Sequence, residues 1–220
     1  MSYDINWEYS RELFPDLLDG LVVTLQATSF GIILAMSLGL VFAILRRSEV
    51  RAISWPTAWV IEFIRSTPLL VQLFMLFYVL PQYGLRMDAF TTGVVALGVH
   101  YATYTSEVYR SGIEGVPRGQ WEASTALNLS TVTTWSRVVL PQAIPVVIPA
   151  LGNYLIAMFK EVPLLATITV LDVLGEGRAA CTRTGNCVEA YTMVGMLFLA
   201  ISIPSSVLVR QLEARLARQP

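Results

Sequence analysis

Five stretches of this 220-residue chain carry no formal charge, and each is 18 to 26 residues long. They cover residues 20–45, 66–85, 89–106, 138–159 and 190–209, with His100 counted as neutral. Crossing the hydrocarbon of a bilayer takes about 20 apolar residues at a helical rise of about 1.5 Å. A soluble helical bundle needs a charged outward face on each helix, and these stretches have none. Only 14% of the residues are charged, against about 25% in soluble domains. The expected class is an all-α membrane protein with five transmembrane helices.

The second helix is expected to begin before Ser66. Residues 52–61 are also uncharged, and Trp55 and Trp59 have the character of interfacial anchors. Glu62 and Arg65 then share one helical face inside the span. Pro68 biases Thr67 away from helical geometry and predicts a kink. A broken helix at membrane depth needs protein or a water-filled cavity over it.

Arginines set the orientation. One side carries Arg46, Arg47, Arg51, Arg110, Arg118, Arg137, Arg210, Arg215 and Arg218, the other Arg11, Arg86, Arg178 and Arg183. The N-terminus is expected outside and the C-terminus in the cytoplasm. The first nineteen residues hold five acids and one arginine, the wrong sign for the start of a signal peptide, so no cleaved leader is expected. Asp4, Glu8, Glu12, Asp16 and Asp19 recur every three or four residues, with Ile5, Leu13, Phe14, Leu17 and Leu18 as apolar matter. Residues 1–19 read as a short extracytoplasmic amphipathic helix, though 1–9 read equally well as a solvated tail. Residues 20–210 form the membrane domain and 211–220 a cytoplasmic tail.

Residues 113–141 are too long for a simple connection and too patterned for disorder. Gly119-Gln120 precedes a helix-favouring run from Trp121 to Leu127. Asn128 stands where a left-handed residue ends a helix, and Ser130 can cap the next. Two short helices joined at Asn128 are expected.

This loop resembles the Glu-Ala-Ala (EAA) loop of ABC importer permeases. Glu122-Ala123-Ser124, Asn128 and Val138-Val139-Leu140-Pro141 fall on its landmarks. Residues 65–72 (RSTPLLVQ), 126–130 (ALNLS), 140–143 (LPQA) and Gly152-Asn153 resemble the polar amino-acid importer branch, and the likeness runs from about Gly20 to Arg215. Asn128 replaces the family's glycine and Ser124 its second alanine; both fit the turn. Residues 160–165 (KEVPLL), with Glu189-Ala190-Tyr191, resemble permeases for ectoine-type compatible solutes.

The resemblance implies a type I ABC importer permease fold. It implies a pore of two permease subunits, the second being the same or a homologous chain. It further implies two ATP-binding subunits carrying ATP-Mg, and an extracytoplasmic substrate-binding protein. Gly119, Gln120, Glu122, Ala123, Ser124 and Asn128 would dock the ATPase. The chain itself would be a transport subunit and not an enzyme. Its single lysine, Lys160, is not preceded by the glycines of a phosphate-binding loop, so ATP hydrolysis is expected in another chain. No cofactor is expected in this chain, and no nucleic-acid partner at a net charge of −1.

Ionisable groups in spans usually face a pathway or a partner. Glu62 and Arg65 either line the translocation pathway or neutralise each other. Glu107 and Arg110, three residues apart, read as a structural pair. Lys160 and Glu161 are adjacent and point about 100° apart, so they cannot pair with each other. They either meet a zwitterionic substrate or sit at the water boundary. His100 reads as a packed, hydrogen-bonded residue, and no second histidine exists to build a metal site. Cys181 and Cys187 flank turn chemistry in a loop placed outside, where a disulfide is permitted, but spacing alone does not assign one. The rival reading is an ion-coupled secondary transporter of a small polar solute, for which no internal repeat is evident.

Overall fold

The computed structural model describes residues 6–216, and among these every regular element is helical. Asp4, Ile5 and Arg218, invoked above, lie outside the described residues. Helix α1 (Trp7–Arg46) has 40 residues, about 60 Å at the α-helical rise and twice a hydrocarbon thickness. Asn6 caps it, its side chain accepting from the Tyr9 amide at 3.0 Å. The acidic segment is therefore not a separate short helix. Leu13 and Leu17 bury against Val173, Ala180, Ala190 and Val194, and that packing holds the segment in line with the span that follows.

The second stretch is divided into α2 (Arg51–Arg65) and α3 (Leu69–Phe74), extended by a π turn (Met75–Val79) and a 3-10 turn (Leu80–Tyr83). The two parts meet at 100°. Pro68 excludes helical geometry at Thr67, and the freed acceptors find a side chain instead. Gln72 Nε2 donates to the Ile64 carbonyl at 2.6 Å and the Thr67 carbonyl at 3.1 Å. Such repair keeps a broken helix tolerable at depth.

Helix α4 (Ala89–Glu114) starts at Asp88, whose carboxylate accepts from the Thr91 amide at 3.0 Å. Next come α5 (Arg118–Ala126), α6 (Thr131–Thr134), a π turn (Trp135–Val139), α7 (Leu140–Glu161) and a 3-10 stretch (Val162–Ile168). Thr131–Ile168 is one continuous helical run of 38 residues. Helices α8 (Val173–Thr184) and α9 (Cys187–Leu216) complete the described chain.

Among the described residues three helices are long and apolar enough to cross a membrane: Trp7–Arg46, Thr131–Ile168 and Cys187–Leu216. The bent pair makes a fourth if it counts as one span. The five spans expected from sequence thus become three or four by length and composition. Helix α4 falls short because it is built for the interior. Thr92, Gly93, Gly98, His100, Thr103, Thr105 and Ser106 are buried in it, and small and hydroxylated residues lower its hydropathy.

Helix α1 packs most extensively on α4. On α1, Ala27, Gly31, Ala35, Gly39 and Ala43 recur at every fourth position, and all are buried. Small residues let helix backbones approach closely where lipid supplies no hydrophobic drive. A Cβ at Gly39 would lie 2.9 Å from the Ala102 carbonyl oxygen, and Thr105 Oγ1 donates to the Ala35 carbonyl at 2.8 Å. The main core forms around this contact, with Leu73, Leu97, Met158 and Leu165 fully buried between α1, α3, α4, α7 and the 3-10 stretch. A small separate core of Val116, Val139 and Ala143 sits under α5, flanked by Ile113, Trp121 and Trp135.

Candidate functional site

The 113–141 loop is a closed helical hairpin. Helix α5 ends in a double closure: the Leu129 amide donates to the Ser124 carbonyl and the Asn128 amide to the Thr125 carbonyl, both at 3.0 Å. This six-to-one and five-to-two pattern requires a left-handed residue at the turn. Asn128 supplies it with φ 51°. Ser130 caps the next segment, its hydroxyl accepting from the Thr133 amide at 3.2 Å. The second helix is not a short independent one; it is the leading end of the Thr131–Ile168 run. The Trp121 and Trp135 rings close the hairpin at 5.6 Å, and the Arg47 guanidinium lies over Trp135 at 5.7 Å. The loop is thus tied to the end of α1.

Gly119, Gln120, Glu122, Ala123 and Asn128 are exposed on this hairpin. Ser124, expected among them, is buried, and its hydroxyl donates back to the Gln120 carbonyl at 2.8 Å. Two residues that the sequence reading missed stand out at the tip. Leu127 is 72% exposed and Val132 77% exposed. An apolar residue on either side of a polar turn was the available signal.

A second polar assembly lies between α2, α4 and α7. Tyr101, Tyr104 and Tyr154 form a triangle with ring centroids 5.7 to 6.1 Å apart. His100 stacks beside it, 5.3 Å from Tyr104, and its Nδ1 is 3.1 Å from Gln72 Oε1. Arg65 lies over the Tyr104 ring at 5.3 Å. Glu161 faces Tyr101, and its Oε2 is buried without a hydrogen-bond partner among the described residues. Lys160 is exposed. Glu62 and Arg65 are separated in role: Glu62 is exposed, while Arg65 turns inward.

Arg65 also approaches Glu107, at 3.9 Å. Glu107 is a hub that accepts from Arg46 and, at 2.6 and 2.9 Å, from Arg110. Arg110 donates onward to Glu114 at 2.6 Å. One carboxylate thus ties together the ends of α1, α2 and α4. The i,i+3 pair was readable in the sequence; the two distant arginines were not.

At the opposite end, the structure joins Cys181 and Cys187, with Cα atoms 4.4 Å apart. The bond straddles the α8–α9 turn. Around it, Arg183 pairs with Asp16 at 3.0 Å, Thr184 Oγ1 donates to the Tyr9 hydroxyl at 3.0 Å, and the Asn6 amide donates to Glu189 at 3.0 Å. Asp172 caps α8, accepting from the Gly175 amide at 2.9 Å. It is fully buried against α1, where the Val173 amide donates to Thr24 at 3.2 Å. Burial pushes the Asp172 carboxyl up to about 6. No group of three His, Cys, Asp or Glu suited to a metal occurs among the described residues.

Known proteins resemble this chain in sequence and in shape. The family profile of the binding-protein-dependent transport system inner membrane component matches residues 21–218. A probable amino-acid ABC transporter permease of Sinorhizobium fredii is 45% identical over 100% of this chain and 98% of its own. The L-cystine transport system permease of Bacillus subtilis is 33% identical over 97% and 94%. The crystal structure of an amino acid ABC transporter with histidines superposes with a TM-score of 0.91 at 31% identity, covering 97% of this chain and 100% of that one. The inward-facing MetNI methionine transporter shares the fold, with a TM-score of 0.62 at 18% identity over 91% and 95%. The chain belongs to the inner-membrane components of binding-protein-dependent transport systems and is the permease subunit of an amino-acid ABC importer.

Proposed function

We propose that the 113–141 hairpin is the surface through which a separate ATPase drives this permease. The observation that carries this reading is the closed turn at Asn128, which presents Leu127 and Val132 outward on a rigid, tryptophan-braced mount. Glu122, with Gly119 and Ala123 beside it, offers a charge and close approach on the same hairpin. Two copies of the chain, or this chain and a homologue, form the pore. Two ATP-binding subunits carry ATP-Mg, and a binding protein delivers substrate from outside. Helix α4 and the bent α2–α3 pair complete five spans, with the N-terminus outside and the hairpin in the cytoplasm. Cysteines placed at Leu127 and in the ATPase groove should cross-link in the assembled complex. Labelling of position 127 from outside intact cells, or normal substrate-stimulated ATPase and uptake with Leu127→Asp and Glu122→Ala together, overturns the reading.

The same reading gives the tyrosine triangle a part in the route. Three phenol rings offer π faces to an ammonium group. The unpaired Glu161 oxygen supplies a negative charge, and Arg65 a positive one. A polar amino acid or a related zwitterion, including a compatible solute, meets both. Uptake in Glu161→Gln and Tyr154→Ala, with assembly verified, tests it; wild-type rates in both sink it. Lys160, being exposed, should tolerate Lys160→Ala. The Cys181–Cys187 bond is the brace of the outer end, and non-reduced peptide mass spectrometry should recover the linked pair.

A further inference from the structure

The elbow where α1 turns into α2 holds a groove of about 720 Å³, lined by Arg46, Arg51, Ala52, Ser54, Trp55 and Ala58. Its composition is two-part. One end carries guanidinium groups. The other carries the face of Trp55, 68% exposed, and just beyond the groove Trp59, 62% exposed, meets it edge-on at 6.1 Å.

The charges around the groove do not balance. Arg46, Arg47, Arg51, Arg65 and Arg110 gather there or just behind it, against the carboxylates of Glu49, Glu62, Glu107 and Glu114. Glu107 is spent on Arg46, Arg65 and Arg110. Among the described residues no carboxylate lies within ion-pair distance of Arg51, and Arg47 is turned toward the Trp135 ring. A surplus of positive charge thus opens onto an exposed aromatic face, in a protein whose adjoining helix α1 crosses the membrane.

We propose that this elbow binds one anionic phospholipid. Its phosphate sits between Arg51 and Arg46, and one acyl chain runs along Ala52, Trp55 and Ala58. A free phosphate would satisfy the arginines and leave the tryptophan face bare. A neutral lipid would cover the tryptophans and leave Arg51 without a counter-charge. Only a group with both parts matches both ends. The proposal needs the chain to be in a membrane and does not depend on which side the elbow faces, so it stands or falls apart from the docking assignment.

The test is native mass spectrometry of the assembled importer, stripped of lipid and titrated with phosphatidylglycerol, phosphatidylcholine or inorganic phosphate. The expected result is one tightly held phosphatidylglycerol per copy of this chain, which phosphatidylcholine and inorganic phosphate do not displace. Arg51→Gln should weaken it about fivefold, the worth of one arginine near an anionic lipid. Trp55→Ala should weaken it too, and Arg86→Gln, remote from the elbow, should not. Equal retention of phosphatidylcholine, displacement by phosphate, undiminished binding in both elbow variants, or a partner chain cross-linked over Trp55 would each overturn the proposal. If the variants fail to assemble, the three ligands compared on the wild-type complex decide alone.

Discussion

The Trp121 ring meets the Trp135 ring edge-on, 5.6 Å between centroids and 81° between planes. Trp121 belongs to α5 and Trp135 to the run that becomes α7, so this contact holds the hairpin shut on its small core. An edge-to-face pair adds about 1 kcal/mol beyond area burial. Trp121→Ala should leave the membrane helices folded and loosen the hairpin. Substrate-stimulated ATPase and uptake should fall together, with basal ATP hydrolysis by the partner retained.

Asn128 holds φ 51°, a conformation that costs a residue with a Cβ about 1 kcal/mol and a β-branched one more. Asn128→Gly should keep or raise the thermal midpoint of the purified complex. Asn128→Val should lower it, and uptake with it. Equal midpoints for the two variants would mean that the turn is not under conformational control.

Replacing Glu107 tests the hub. Glu107→Gln removes the negative charge that holds Arg46, Arg65 and Arg110 together and leaves one acceptor oxygen in place of two, at a cost of about 2 kcal/mol for charge-assisted bonds. The thermal midpoint should drop, and Arg46→Gln added to Glu107→Gln should recover part of the loss. Additive damage in the double variant would show that the two residues do not act as a unit.

Asp172 predicts a pH dependence. Its carboxyl is raised from the usual 3.8 to about 6, chiefly by burial. The folded chain therefore holds this proton more tightly than the unfolded chain. The stabilisation is fully present below about pH 4 and is lost as pH rises through about 6. That difference between the folded and unfolded chain corresponds to about 3 kcal/mol. Glu176 is pushed up in the same direction, by burial and then by Asp16, with Arg183 opposing. Asp172→Asn keeps an acceptor for the Gly175 amide and should flatten the dependence between pH 4 and 6. Thermal midpoints across that window check it; an unchanged slope in the variant refutes it.

The Cys181–Cys187 bond closes a short loop at the α8–α9 turn. Opening it frees the denatured chain by about 2 kcal/mol for a loop of this length. Cys181→Ser with Cys187→Ser should lower the thermal midpoint as much as reductant does in the wild type, while reductant should leave the variant unaffected.

Much of the architecture was legible because it rests on local chemistry. Uncharged runs marked the helices, Pro68 the break, and Asn128 and Ser130 the hairpin turn. What was not legible is long-range. Nothing in the residues around Arg46 or Arg65 says that both reach Glu107. The tyrosine triangle needs two helices placed together before Tyr154 meets Tyr101 and Tyr104. The acidic N-terminal segment reads as a surface helix until Leu13 and Leu17 are seen to bury against α8 and α9. Ser124 looked outward by analogy with its alanine, yet the helical phase turns it in. The α4 segment was found by lack of charge, although its hydropathy is low, because its polar residues are satisfied inside the bundle.

The row of Ala27, Gly31, Ala35, Gly39 and Ala43 has a consequence for how this chain tolerates change. At Gly39 even one added methyl group meets the Thr105 side chain and the Ala102 carbonyl, and no flexible side chain is there to yield. Substitution on that face is therefore limited by size, whatever the polarity of the newcomer. The opposite face of the same helix, with Phe30, Ile33, Val41 and Ile44 exposed, is limited by polarity and indifferent to size. A saturation library of α1 should separate along the helix axis into two stripes, one that rejects bulk and one that rejects charge.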